Sequence, residues 1–171
     1  MKKLIATLLA TLVLLMAFGA LANETMVSKH YDFGVATPEG YIEIEDHQDY
    51  ATLVTYTPED ETKAHYTMSI AYSELFDGSS LTDLEEDDLA LMKAMLGASF
   101  NVPTVEDAKT ASETPLIVIN ETDSASDYVS ISTLFKGYMF EMKIEYLNDA
   151  EVTAADIEQG IKIYSDITFF E

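Results

Sequence analysis

One stretch limits the choice of fold more than any other: YVSISTLFKGYMFEMKIEYL, residues 128–147. From Tyr138 onward, Tyr138, Phe140, Met142, Ile144 and Tyr146 are apolar or aromatic at every second position, with Met139, Glu141, Lys143 and Glu145 between them. Side chains alternate across a strand, so this spacing gathers one apolar face and one mostly wet face. A helix would scatter the same five residues around its circumference. Val129, Ile131, Thr133 and Phe135 repeat the pattern upstream, and Lys136-Gly137 joins the two runs. Glycine tolerates the positive φ of a tight turn. The stretch therefore predicts a β-hairpin with one buried face, and the rest of the chain must supply a sheet and a cover for it.

Other strands are legible by the same rule. YATLVTY and YTMSIAY, residues 50–56 and 66–72, form a second pair, and Tyr66, Met68, Ile70 and Tyr72 share one face of the latter. The charged TPEDETKAH between them carries Pro58 and reads as a solvated loop. Upstream, short strands are expected around Phe33 and Ile42, separated by the turn residues Thr37-Pro38-Glu39-Gly40. PLIVINE, residues 115–121, is a continuous apolar run of the fully buried type that starts at a proline. Residues 98–114 show no long period and predict a connection, with a short helical turn around VEDAK.

Two helices are expected. Thr153 and Asp156 have capping-box spacing, and Ile157, Ile161 and Tyr164 then recur at helical intervals. The other helix lies in LTDLEEDDLALMKAMLG, where Asp83, Glu85, Glu86, Asp87 and Asp88 crowd into six positions. Thr82 and Glu85 have the S/T-x-x-E spacing, and acids in the first turns suit the positive end of the helix dipole. Leu84, Leu91 and Met95 form a stripe that Leu89, Met92 and Leu96 widen, and Gly97 stands where a C-terminal cap belongs. Consecutive helical positions diverge by about 100°, so the five acids do not converge on a metal.

The first residues read differently from the rest. Lys2 and Lys3 precede an apolar run of 17 residues from Leu4 to Ala20, and the small residues Ala20 and Ala22 flank Leu21. Charge, apolar run and A-x-A in that order predict a secretory signal peptide, residues 1–22, cleaved between Ala22 and Asn23. A retained membrane anchor is the alternative, and the run is short of the ~20 residues a spanning helix needs. Residues 23–171 are then one domain of 149 residues, long enough to bury a core. Its seven lysines face 31 acids, a net charge of −24, and arginine is absent. Nucleic acid and anionic membrane surfaces are poor partners for such a chain. Cysteine is absent too, which excludes disulfides, thiolate chemistry and a cysteine-linked lipid.

Catalytic constellations are sparse. His30, His47 and His65 sit in unrelated segments without H-x-H or H-x-x-x-H spacing, and His47 lies beside Asp46 and Asp49. No nucleophile elbow, phosphate loop or dinucleotide fingerprint occurs. Asp77, Asp83, Asp123 and Asp127 lie in acidic loops that do not match the calcium-loop pattern. The ten tyrosines, mostly at strand positions or beside turns, suit half-buried sheet edges and binding surfaces alike. No catalytic, cofactor or metal residue is assigned.

The order of elements, with FGVATPEGY near the start, KGYMFEMKIEYL and the ending DIEQGIKIYSDITFF, resembles the PsbP-like superfamily of exported α/β/α sandwiches. The resemblance implies an α+β fold: an antiparallel sheet of about six to seven strands flanked by helices. It also implies a mostly non-enzymatic role, docking to a larger assembly. The expected function is an exported bacterial binding or accessory protein, with an unknown protein or small-molecule partner in the cell envelope or medium. Cation binding, calcium first, and a carboxylate-based hydrolase are the alternatives. The wet row Glu141, Lys143, Glu145 departs from a sheet covered on both faces, and implies either an edge strand or partial helix cover.

Overall fold

The computed structural model describes residues 33–34, 37–47, 51–121, 128–148, 150–165 and 167–169. The predicted hairpin is present, with β7 (Tyr128–Phe135) and β8 (Tyr138–Glu145) joined by Lys136 and Gly137 at φ 48° and 86°. Both turn residues lie in the left-handed region, whose twist matches that of the flanking strands. Around the hairpin a seven-stranded antiparallel sheet assembles in the order β2-β3-β4-β8-β7-β6-β5. Its other strands are β2 (Tyr41–His47), β3 (Ala51–Pro58), β4 (His65–Tyr72), β5 (Pro103–Lys109) and β6 (Pro115–Glu121). Two meanders, β2-β3-β4 and β5-β6-β7-β8, meet where β4 pairs with β8. A two-residue strand, β1 (Phe33–Gly34), pairs separately with β9 (Thr168–Phe169).

A helix packs on each face. Helix α1 (Glu86–Leu96) brings Met92, with Leu89 and Leu96 beside it, onto Ile117, Ile119 and Leu134, and Phe76, Leu81 and Phe100 complete that cluster. Helix α2 (Ala154–Ser165) lays Ile163, Tyr164, Ile157 and Ile161 against the larger cluster, which contains Tyr66, Met68, Ile70, Ile131, Phe140, Met142 and Ile144. Strand β6 shows why PLIVINE reads as a continuous apolar run. Leu116 and Val118 enter one cluster, Ile117 and Ile119 the other, so both faces are buried.

Four readings need correction. Residues 105–109 are not a helical turn; they belong to strand β5, paired with β6 from Pro103↔Glu121 to Lys109↔Pro115. An edge strand with Pro103, Val105, Glu106, Asp107 and Lys109 exposed has no apolar alternation to read, and the proline and charges protect the free edge. The capping box is Ser80–Asp83, not Thr82–Glu85: Asp83 N–H lies at Ser80 and the Asp83 carboxylate accepts from Ser80 N–H at 2.8 Å. It closes a 3-10 turn (Leu81–Asp83), and α1 starts only at Glu86 with Glu85 as its N-cap. The stripe of α1 is centred on Met92, while Leu91 stands 40% exposed. Finally, β8 is central rather than at an edge. Partial cover explains its wet row: the α1 cluster takes Met139 from this face of β8, while Glu141, Lys143 and Glu145 stay half-buried.

The remaining helix expectations hold. Gly97 follows α1 as its C-cap and donates to the carbonyls of Lys93 and Met95. Thr153 and Asp156 form the predicted reciprocal cap of α2, with Thr153 N–H to Asp156 Oδ2 at 2.8 Å and Asp156 N–H to Thr153 Oγ1 at 3.4 Å. Among the described residues no helix is long and apolar enough to cross a membrane. Ala20, Ala22 and Asn23 lie outside the described residues, as do His30, Asp49, Asp123 and Asp127.

Candidate functional site

The Thr37–Gly40 turn, the start of β2, Lys63, one end of β4 and one side of α2 from Ala155 to Lys162 line an open pocket of about 560 Å3. The turn forms because Gly40 takes φ 79° and Tyr41 N–H closes back onto the Pro38 carbonyl at 3.1 Å. Thr37 Oγ1 donates to Glu43 at 2.8 Å and ties the turn to β2. Tyr41 on β2 and Tyr66 on β4 meet edge to face, ring centroids 5.6 Å apart. Their hydroxyls share a hydrogen bond, and Tyr66 also reaches the main-chain carbonyl of Asp156 at 3.2 Å.

The Asp156 carboxylate is engaged by the fold itself. It accepts from the Thr153 hydroxyl at 2.7 Å, from Thr153 N–H at 2.8 Å and from the Tyr146 hydroxyl at 3.1 Å. Burial pushes the Tyr66 phenol far above the usual phenol range, and Tyr41 and the Asp156 charge push the same way. Burial likewise raises Tyr41 and Tyr146, with the hydrogen bond to Tyr66 opposing it in Tyr41 and the Asp156 charge adding to it in Tyr146. These phenols therefore stay neutral and act as hydrogen-bond donors and acceptors, not as bases.

The pocket's cations are Lys63, from the loop before β4, and Lys162 on α2. Lys63 Nζ lies beside Gly40, 3.8 Å from where a Cβ at that position would sit. Other lysines have partners: Lys93 with Asp107 at 2.6 Å, Lys109 with Glu113 at 3.0 Å, Lys143 with Glu145 at 2.6 Å. Lys136 lies over the Phe135 ring at 5.5 Å. Among the described residues neither Lys63 nor Lys162 forms an ion pair, but the Lys63 charge adds to the Thr62 hydrogen bonds that hold the Asp60 carboxyl below its usual range.

A second polar region runs down the α1 face of the central strands. Ser130 and Ser132 are buried there, and Ser130 Oγ donates to Glu141 at 3.1 Å. Lys143 pairs with Glu145 and lies over the Tyr128 ring at 4.8 Å. Register places His65 opposite Glu145. Beyond this seam, the same face of β2 carries Ile42 and Ile44, 55% and 56% exposed.

The acids singled out in the sequence do not gather. Asp83 closes its cap, Asp77 accepts from the Tyr72 hydroxyl, and Glu85, Glu86, Asp87 and Asp88 point outward around the start of α1. Among the described residues no three His, Asp or Glu side chains are placed to hold one metal ion. The pocket was not legible in the sequence, because Tyr41, Lys63, Tyr66 and Asp156 meet only through the strand order. The abundance of tyrosine and the Thr153–Asp156 cap were its visible traces. Compared with known proteins, the chain matches no family model, no curated protein and no solved structure.

Proposed function

We propose that this protein is an exported, non-enzymatic binding module of a bacterium, and that its ligand seat is the pocket between the Thr37–Gly40 turn and α2. The observation that carries the reading is the convergence of Lys63, Lys162, the Tyr41 phenol and the Glu39 and Asp156 carboxylates on one cavity. Its volume lies within the range of small-molecule sites. The neutral phenols and the internally engaged Asp156 equip the pocket to hold a ligand rather than to move protons. We read the architecture as a PsbP-like sandwich. The order of elements and the placing of one helix cluster on each sheet face support that reading.

Amide-resolved NMR titration with a fragment library tests the binding function. Saturable shifts should gather on Thr37–Tyr41, Lys63 and Asp156–Lys162. Shifts confined to Ile42 and Ile44, or a turnover abolished by a single pocket substitution, would remove the reading. Export is tested separately: the protein recovered outside the cytoplasm should begin at Asn23.

A further inference from the structure

We propose that the free edge of β2 takes up an extended segment of a partner protein in which lysine or arginine alternates with aliphatic residues. The segment adds one strand to the sheet, on a surface separate from the pocket. Register fixes which main-chain groups of β2 are available to it. Glu59 N–H donates to the Gly40 carbonyl at 2.9 Å, so Gly40 and Glu59 form a hydrogen-bonded pair. Counting in twos from there, Ile42↔Thr57 and Ile44↔Thr55 bond across to β3, while the N–H and C=O of Glu43 and Glu45 point away from it. Among the described residues no strand lies beyond β2.

The two ends of the sheet are finished differently. β5 carries Pro103 and exposed charges, and Lys93–Asp107 ties it to α1. β2 has neither proline nor bulge; its residues run in unbroken register with β3, and Ile42 and Ile44 stand exposed on the α1 side. The α1 cluster stops short of β2, so aliphatic side chains of an added strand can settle beside the two isoleucines. Charge sets the other half of the pattern. Glu39, Glu43, Glu59, Asp60 and Glu61 stand exposed on or beside this edge, and Lys63 and Lys162 are the lysines near them, so the acids prevail. A second copy of the chain does not fit. Antiparallel pairing along the whole strand would set Glu43 of each copy opposite Glu45 of the other, and like charges in that position destabilise.

The test titrates the purified protein with the end-blocked peptide Lys-Val-Lys-Ile-Lys-Val-Lys and with Lys-Lys-Val-Val-Lys-Lys-Ile, which keeps the composition and charge but loses the alternation. The alternating peptide should bind at least about tenfold more tightly. It should slow amide hydrogen exchange at Glu43 and Glu45 and leave Ile42 and Ile44, already bonded to β3, unchanged. Ile44→Thr, at an exposed position, should keep the fold and weaken the peptide about fivefold. Glu43→Gln should weaken it about threefold, and Glu43→Pro, which also removes an outward N–H at a site where an edge strand tolerates proline, at least about tenfold. Equal binding of the two peptides without protection of Glu43 and Glu45 would reduce the attraction to net charge and overturn the proposal. So would equal affinity of the Gln and Pro variants, failure of both peptides to bind, or protection of Glu43 and Glu45 by dimerisation without any peptide. None of these outcomes touches the pocket, whose own titration decides it.

Discussion

The Tyr164 hydroxyl, carried on α2, donates to the main-chain carbonyl of Ile131 in β7 at 2.7 Å. It lies 3.1 Å from the Phe140 carbonyl in β8 and takes a hydrogen bond from the Met142 N–H. A side chain from the covering helix thus satisfies main-chain groups of the two central strands, which a buried sheet cannot leave unpaired.

Tyr164→Phe should therefore destabilise by about 1–3 kcal/mol, the cost of an orphaned buried polar group, while keeping the ring's packing. Urea unfolding should show a lower midpoint at constant slope. A midpoint equal to wild type would mean that the strands satisfy those groups without the hydroxyl.

Buried phenols also set an alkaline limit. Burial raises Tyr164 well above the usual phenol value, the Glu141 charge adds to it, and the Met142 N–H opposes it. Burial does the same to Tyr66, and the hydrogen bond to Asp77 pushes Tyr72 up to about 12. Each folded pKa lies above the unfolded value of 10.0. The unfolded chain thus loses its phenolic protons first. Stability from these groups is complete below pH 10 and drains away as pH climbs toward the folded values. With no tryptophan in the chain, near-ultraviolet absorbance reports phenolate directly. The rise should come in two steps, the later one coinciding with loss of far-ultraviolet circular dichroism. A single step complete before unfolding would show that these phenols ionise within the fold.

Asp83 and Glu85 separate two accounts of the acidic cluster. Ser80 Oγ takes part in the capping box and accepts from Lys136 N–H at 3.2 Å, so this turn also holds the tip of the β7–β8 hairpin. Ser80→Ala should cost about 1–2 kcal/mol, as an N-cap loss does, and Thr82→Ala less than about 0.5 kcal/mol. Reversed magnitudes in thermal unfolding would restore the Thr82–Glu85 box.

Legibility in the sequence followed burial. β8, β4 and α2 each turn an apolar face into the larger core cluster, β7 adds Val129 and Ile131 to it while its other face is buried as well, and the periods on the core side announced all four. β5 has little buried surface and Thr82 imitates a cap, so local pattern misled at both places. The pocket is a product of topology: Tyr41 and Tyr66 are neighbours only because β2, β3 and β4 form one meander, and α2 reaches them only after the chain has traversed the whole sheet. No local period encodes such a meeting.

Gly160 tests how closely α2 lies on the sheet. A Cβ there would fall 2.9 Å from Ile144 Cδ1, 3.0 Å from Ile131 Cδ1 and 3.3 Å from Met142 Sδ, all from fully buried side chains. Alanine at an ordinary helical glycine gains about 1 kcal/mol of intrinsic propensity. Here the added Cβ has to push those side-chain ends aside within the core, and overpacking of that kind costs about 1–3 kcal/mol. Gly160→Ala should thus be neutral to about 2 kcal/mol destabilising, against the gain expected from propensity alone. Ile144→Val removes the nearest methyl group, so it should cost less in the Gly160→Ala background than in the wild type. A double-mutant cycle in urea reads that coupling. Strict additivity, or a stabilised Gly160→Ala, would mean that α2 rides higher on the sheet than these distances describe.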